Sequence, residues 1–111
     1  MKVLIVGSRN IDNFDLSPYI NDEVSLIISG GAKGIDTIAE NFADKNNISK
    51  LVLKPNYKKY GKYAPLKRNE MMVDIADMII AIWDGVSKGT RHTIDYAIKT
   101  DKKLTVIKNE G

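Results

Sequence analysis

Five short apolar runs recur along this chain of 111 residues: Val3 to Val6, Val24 to Ile28, Leu51 to Leu53, Met78 to Trp83 and Leu104 to Ile107. Each is continuous rather than alternating. That is the pattern of a strand buried on both faces, and such strands belong to parallel sheets covered by helices. The segments between them carry helical spacing. Ile35, Ile38, Ala39, Phe42 and Ala43 keep the intervals of one apolar stripe. Leu66, Asn69, Met72, Val73 and Ala76 mark a later helix with Asn69 on its inward side, Ile94, Ala97 and Ile98 mark the last, and Phe14 to Ile20 supplies a short first one. The alternation implies an α/β fold: a Rossmann-like three-layer sandwich around a five-stranded parallel sheet in order 3-2-1-4-5, with right-handed crossovers. No repeat, low-complexity tract or linker interrupts it, so residues 1–111 are expected to form a single domain.

Composition removes several classes. The absence of cysteine excludes a disulfide framework, a thiolate zinc site and a cysteine nucleophile. His92 is the only histidine and has no cluster around it, so no metal or other cofactor is expected. The fractions of 43% hydrophobic and 28% charged residues lie far from the disordered corner. The longest apolar run, Met78 to Trp83, is far short of the ~20 residues of a membrane span. Lys2 to Val6 passes into Gly7-Ser8-Arg9-Asn10 without a signal-peptide core. A cytoplasmic protein without a membrane partner is expected. Net charge is +3, from 17 basic and 14 acidic residues, yet Lys54, Lys58, Lys59, Lys62, Lys67 and Arg68 succeed one another with no acid between them. Such a patch attracts phosphate whatever the overall balance.

Ligands of such folds bind beyond the carboxyl ends of the strands, so the segment leaving each strand carries the functional information. Three of these segments are glycine-bearing loops: Gly7-Ser8-Arg9 after the first strand, Ser29 to Asp36 after the second, and Asp84 to Thr90 after the fourth. In the second loop Gly30, Gly31 and Gly34 allow close backbone approach, and Ser29, Lys33 and the next helix start suit an anion. A strand-to-helix turn that needs glycine for geometry explains the same residues. Asp36 falls in a first helical turn, where the macrodipole favours any carboxylate, and is also a candidate catalytic group. In the third loop Gly85, Ser87, Gly89 and Thr90 repeat the device; Thr90 is either a phosphate contact or an N-cap. Asp84 either accepts from a ribose hydroxyl or closes its turn, and is the second catalytic candidate.

Arg68 and Asn69 open a helix, where an arginine can form paired bonds to phosphate and a semi-buried asparagine needs a partner. Tyr57, Tyr60 and Tyr63 alternate with lysines; they either stack bases of a single strand or form a solvated loop covering the sheet edge. Trp83 is expected to pack at a strand end.

Gly7-Ser8-Arg9, Ser29-Gly-Gly-Ala-Lys-Gly-Ile-Asp36, Pro55 with Tyr60-Gly61, Arg68-Asn69 with Met72, and Ala76-Asp77 leading to Trp83-Asp-Gly-Val-Ser-Lys-Gly-Thr90 resemble, in that order, the YspA-like (YpsA-related) branch of the SLOG superfamily. The resemblance implies a Rossmann-like domain that binds nucleotides or nucleotide-derived ligands. Smf-type DNA-processing proteins carry a loop similar to Ser29–Asp36. The lonely-guy phosphoribohydrolases carry Pro-Gly-Gly-x-Gly-Thr-x-x-Glu, to which Gly89-Thr90 are similar. Here the glutamate position is Thr93 and the leading Pro-Gly-Gly is Gly85-Val86-Ser87. Glycosidic cleavage passes through an oxocarbenium-like centre that a carboxylate stabilises, so only Asp36, Asp84 or Asp95 stands to take that place. The expectation is a binding domain for a nucleotide or nucleotide-derived signal, with a sensing or sequestering role. The alternatives are a nucleotide N-glycosidase and a single-stranded nucleic-acid binder. Association with further copies of the chain is compatible with each.

Overall fold

Side chains alternate across a strand, so a continuous apolar run gives a sheet two apolar faces to cover. In the computed structural model, which describes residues 1–109, β1 (Lys2–Gly7) and β4 (Met78–Trp83) lie side by side at the centre. Val3, Ile5, Ile80 and Ile82 face one layer; Leu4, Val6, Ile79 and Ala81 face the other. β2 (Leu26–Ser29) and β3 (Ser49–Val52) extend the sheet beyond β1, and β5 (Lys103–Lys108) extends it beyond β4. All pairings are parallel and the order is 3-2-1-4-5.

The first face is covered by α1 (Ile35–Lys45) through Ile35, Ala39 and Ala43, together with Ile11 and Leu16 from the β1–β2 crossover. The second is covered by α3 (Ala64–Ile75) through Met72 and Val73, and by α4 (Lys88–Lys99) through Ile94 and Ala97. Crossovers on one face therefore lead from β1 towards β3 and those on the other from β3 to β5, so strand order reverses between β1 and β4. Among the described residues no helix is long and apolar enough to cross a membrane.

Three local expectations are corrected. The crossover after β1 holds only a 3-10 turn, Ser17–Tyr19, where the spacing of Phe14 to Ile20 suggested a helix. Pro18 supplies no amide there, and Asp15 and Asn21 accept from the amides of Ser17 (3.0 Å) and Glu23 (2.9 Å), side-chain bonds that compete with helix formation. The edge strands are not buried on both faces: Ser49 and Lys50 of β3 and Lys103, Thr105, Val106 and Lys108 of β5 are exposed. Edge lysines of this kind discourage pairing with another sheet. The tyrosine-lysine stretch is not a loop but a helical turn, α2 (Tyr57–Tyr60), and a 3-10 turn, Gly61–Tyr63, leading into α3.

Gly7 closes β1 where the central strands meet α1. A Cβ there would press on the Ile35 side chain and stand 2.5 Å from the Ile82 carbonyl oxygen, part of the backbone that cannot move without breaking the sheet. Gly7→Ala should therefore cost roughly 1–3 kcal/mol by overpacking. Urea unfolding measures it, and an unchanged midpoint would show that α1 does not approach β1 this closely.

Candidate functional site

At the point where strand order reverses, the loops after β1 and β4 are stitched together. The Ser8 amide donates to the Ile82 carbonyl (3.1 Å), and the Asp84 amide donates to the buried Ser8 hydroxyl (3.1 Å). Over this seam lies a cavity of about 410 Å³, walled by the β1 loop, the start of α1, the first turns of α3 and the N-terminus of α4. Its volume is within the roughly 300–1,000 Å³ of small-molecule sites.

Gly7, Ser8 and Arg9 line it, as do Asp36, Arg68 and Asn69, and from the third loop Asp84, Ser87, Gly89 and Thr90. Ser29, Gly30, Gly31, Lys33, Gly34 and Gly85 lie outside its wall. Their positions have local causes. The Ser29 hydroxyl donates to Glu40 (2.5 Å). Gly34, at φ 78°, sits where a Cβ would be 2.5 Å from the Ser8 carbonyl oxygen, and Gly31 packs against Lys54 and Val52. Gly85, at φ 89°, turns beside Lys108, while Lys33 is exposed. The second loop thus contributes only Ala32 and Asp36 to the cavity, and the first amide of α1, that of Ile35, donates to the Ser8 carbonyl (3.4 Å).

The open helix end is that of α4. Its N-cap is Ser87, not Thr90, and no side chain caps it. The amides of Lys88, Gly89 and Thr90 precede Arg91, whose N–H donates to the Ser87 carbonyl (3.1 Å). Donors of this kind, with the helix dipole behind them, favour an anion. Ser87 turns its hydroxyl back to Asp84 (2.7 Å), which also accepts from the amides of Val86 (2.9 Å) and Ser87 (2.8 Å). Those backbone bonds, then the hydroxyl, hold the Asp84 carboxyl down at about 2, so it closes its turn as an anion.

Arg68 is buried, and two of its guanidinium nitrogens are bonded to the protein. Nη1 donates to the Gly30 carbonyl (2.6 Å) and the Leu53 carbonyl (3.2 Å), and Nε donates to Asn69 Oδ1 (2.8 Å). Asn69, inward on its helix, passes the connection on by donating to the Gly89 carbonyl (3.4 Å), which also accepts from the Thr93 hydroxyl (3.2 Å). This is the partner that an inward asparagine requires. Asp36 lies opposite, its carboxylate accepting from the Ala32 amide (3.1 Å). Burial pushes its pKa up to about 6, against the lowering effects of the Ala32 bond and the Arg68 charge. A cleft carboxyl shifted mainly by desolvation is a recognised mark of a functional position.

The remaining wall was less visible in the sequence. Leu66 and Met72 fit the core stripe of α3 but also form an apolar side of the cavity with Pro65, while Thr93 turns inward one helical turn after Gly89. Asn10 and Lys88 carried no motif signal beyond adjacency to the glycine loops. His92 pairs with Glu70 (2.9 Å) and Asp95 pairs with Arg91 (3.7 Å), both away from the cavity. The Trp83 indole donates to the Ser87 carbonyl (3.0 Å) and so braces the α4 loop. Among the described residues no group of three or more His, Cys, Asp or Glu could hold a metal.

This network makes two outcomes measurable. Arg68→Ala should destabilise the fold by roughly 2–4 kcal/mol, because buried carbonyls lose their donor. A purely ligand-facing arginine would leave the urea midpoint unmoved. Asp36 works in the opposite sense. Its folded pKa is raised, so its contribution is fully present below the unfolded value near 3.8 and is lost as pH rises through about 6. Asp36→Asn should stabilise the protein at pH 7 by up to about 3 kcal/mol and flatten the decline in stability between pH 4 and 6. An equal decline in both proteins would place that titration elsewhere.

No protein-family model matches the chain, and no solved structure gives a significant match. Two curated proteins are similar to it. The SPbeta prophage-derived protein YoqJ of Bacillus subtilis strain 168 is 44% identical over 45 residues, a match covering 38% of this chain and only 26% of that protein. The gene 61 protein of Mycobacterium phage D29 is 32% identical over 115 aligned positions, covering 88% of this chain and 89% of that protein. With near end-to-end similarity in both directions, the chain belongs to the family of the phage D29 gene 61 protein.

Proposed function

We propose that this chain is a binding domain for a nucleotide or nucleotide-derived small molecule, with a sensing or sequestering role. The observation that carries the reading is Gly89. It lies in the first turn of α4 on the cavity wall, and a Cβ built there meets nothing within 4 Å. Nothing in the protein needs that glycine for room, and in a helix it costs up to about 1 kcal/mol relative to alanine. A phosphate approaching the amides of Lys88, Gly89 and Thr90 does need the room. Arg9, Arg68 and Lys88 supply positive charge around it, and Leu66 with Met72 supplies an apolar wall for a base or sugar. The ordered resemblance to the SLOG superfamily supports the same ligand class.

Cleavage of the ligand is the competing reading, and one observation favours it: Asp36, with its raised pKa, is a cavity carboxyl not saturated by donors as Asp84 is. Thr93, where the similar hydrolases place glutamate, spends its hydroxyl on the Gly89 carbonyl. Binding of the ground state alone does not lower a barrier, so the binding role is preferred.

A panel of nucleotides tested by thermal unfolding examines both. A true ligand at a hundred times its Kd should add roughly 2.7 kcal/mol. Gly89→Ala should leave the free protein as stable or up to about 1 kcal/mol more stable while abolishing most of the ligand's effect. Stabilisation that survives Gly89→Ala would remove phosphate from the α4 end. The ligand should be recovered intact by chromatography; free base released by the parent protein but not by Asp36→Asn would make this an N-glycosidase.

A further inference from the structure

A second concavity, of about 240 Å³, shares only Arg68 with the first. Three cations reach it, Lys54, Lys59 and Arg68, with the Asn56 amide and an apolar wall from Tyr60 and Met71, and no carboxylate lines it. Neither Lys54 nor Lys59 forms an ion pair with any described residue. Like charges around one enclosure repel unless an anion sits among them.

Of the three cations Arg68 is buried, while Lys54 and Lys59 are exposed at the rim on backbone whose position is set locally. Arg68 is fixed by the Gly30 and Leu53 carbonyls. Lys54 lies along the end of β2, where a Cβ on Gly31 would stand 2.7 Å from its Nζ and 2.9 Å from Val52 Cγ1. Gly31, held at φ 73°, leaves the lysine stem free to lie against it. Asn56 Oδ1 accepts from the Lys59 amide (3.1 Å), which sets the turn that carries Lys59.

At about 240 Å³ the concavity falls below the roughly 300 Å³ at which a small-molecule site stands alone. Contact through Arg68 makes it a neighbour of the larger one. We propose that it is an anion subsite of the same site, and that the ligand is a short dinucleotide-type molecule with two separate phosphoryl groups. One phosphoryl lies at the α4 amides and the other among Lys54, Lys59 and Arg68. This assignment rests on the nucleotide reading of the first cavity.

The local geometry favours a short ligand over a long strand. Of Tyr57, Tyr60 and Tyr63 only Tyr60 lines either concavity. The Lys59 and Lys62 ammonium groups lie over the Tyr60 and Tyr63 rings, 5.2 and 5.4 Å from their centroids, so one face of each ring is already taken by a cation.

Inorganic pyrophosphate titrated into 15N-labelled protein should shift, saturably, the amides of Lys54, Asn56 and Lys59 as well as those of Lys88, Gly89 and Thr90. In a Lys54→Ala, Lys59→Ala double variant the first group should fall silent and the second respond as before. The 5′-phosphorylated diribonucleotide pApA should bind at least about tenfold tighter than AMP, and the double variant should lose that advantage while holding AMP as the parent does. Response at residues 88–90 alone, or equal affinity for AMP and pApA, overturns the subsite and leaves the nucleotide reading standing. Response at residues 54–59 alone overturns a shared ligand, and no response at either group overturns both. Affinity that grows with oligoadenylate length and falls steeply with salt overturns the short ligand in favour of a strand.

Discussion

The Arg68 guanidinium is the interaction on which the loops at the carboxyl edge of the sheet depend. It reaches the last residue before the second loop turns, through the Gly30 carbonyl, and the segment leaving β3, through the Leu53 carbonyl. Through Asn69 it also reaches the Gly89 carbonyl in the first turn of α4. A single side chain from the second face of the sheet thus joins the ends of two strands to the helix that succeeds a third. Burying a guanidinium is costly unless its donors are satisfied. Here backbone carbonyls and Asn69 satisfy Nε and Nη1, while the Asp36 charge opposes the downward pull of burial on the arginine's pKa. Gly30 makes the approach feasible, since a Cβ there would stand 2.8 Å from Arg68 Nη1 and 3.0 Å from Asp36 Oδ2.

The two buried or semi-buried aspartates at this edge show how local donors decide a carboxyl's role. Both come after glycine-bearing or loop-forming strand ends. Asp84 accepts from two amides and a hydroxyl and is held low, so the stability it adds is present above pH 4 and lost only as pH falls towards 2. Asp36 lies deeper, and burial pushes it to about 6 with Glu40 adding to the effect, against the lowering by backbone bonds from Ala32 and Gly30 and by the Arg68 charge. Sequence alone left both as catalytic candidates, because neither burial nor the number of amides aimed at a carboxyl is encoded in the loop residues themselves.

The same distinction separates what was legible in the chain from what was not. The strands, their parallel order and the cavity at the reversal point derive from apolar runs, because a run such as Met78 to Trp83 has few ways to be buried other than between two layers. The edge strands were legible from the predicted order, but their exposure was not taken from it: Ser49, Lys50, Lys103, Thr105 and Lys108 are the polar letters around the short apolar runs Leu51–Leu53 and Leu104–Ile107. Nor was the first crossover legible, where Ile11 and Leu16 keep an apolar rhythm while Asp15, Pro18 and Asn21 take the backbone out of helix. At the site, glycine was an ambiguous letter. Gly31 and Gly34 serve close packing and positive φ, whereas Gly89 serves neither. Arg68 and Asn69 were legible as special because polar side chains on an inward stripe demand partners, but the sequence could not say that those partners are the protein's own carbonyls.

That commitment changes how the edge can act on a ligand. A guanidinium already bonded to three acceptors does not swing to meet a phosphate; it contributes a fixed positive field from a fixed place. The α4 amides are likewise fixed, because the Gly89 carbonyl is held from two sides by Asn69 and Thr93 and the Asp84 turn is closed by Ser8 and Ser87. An anion proposed at this edge would order few groups, chiefly the exposed Arg9 and Lys88, and would keep small the ordering cost that usually erodes affinity. The stability invested in Arg68 and its partners holds the cavity wall and the first turn of α4 in one fixed geometry.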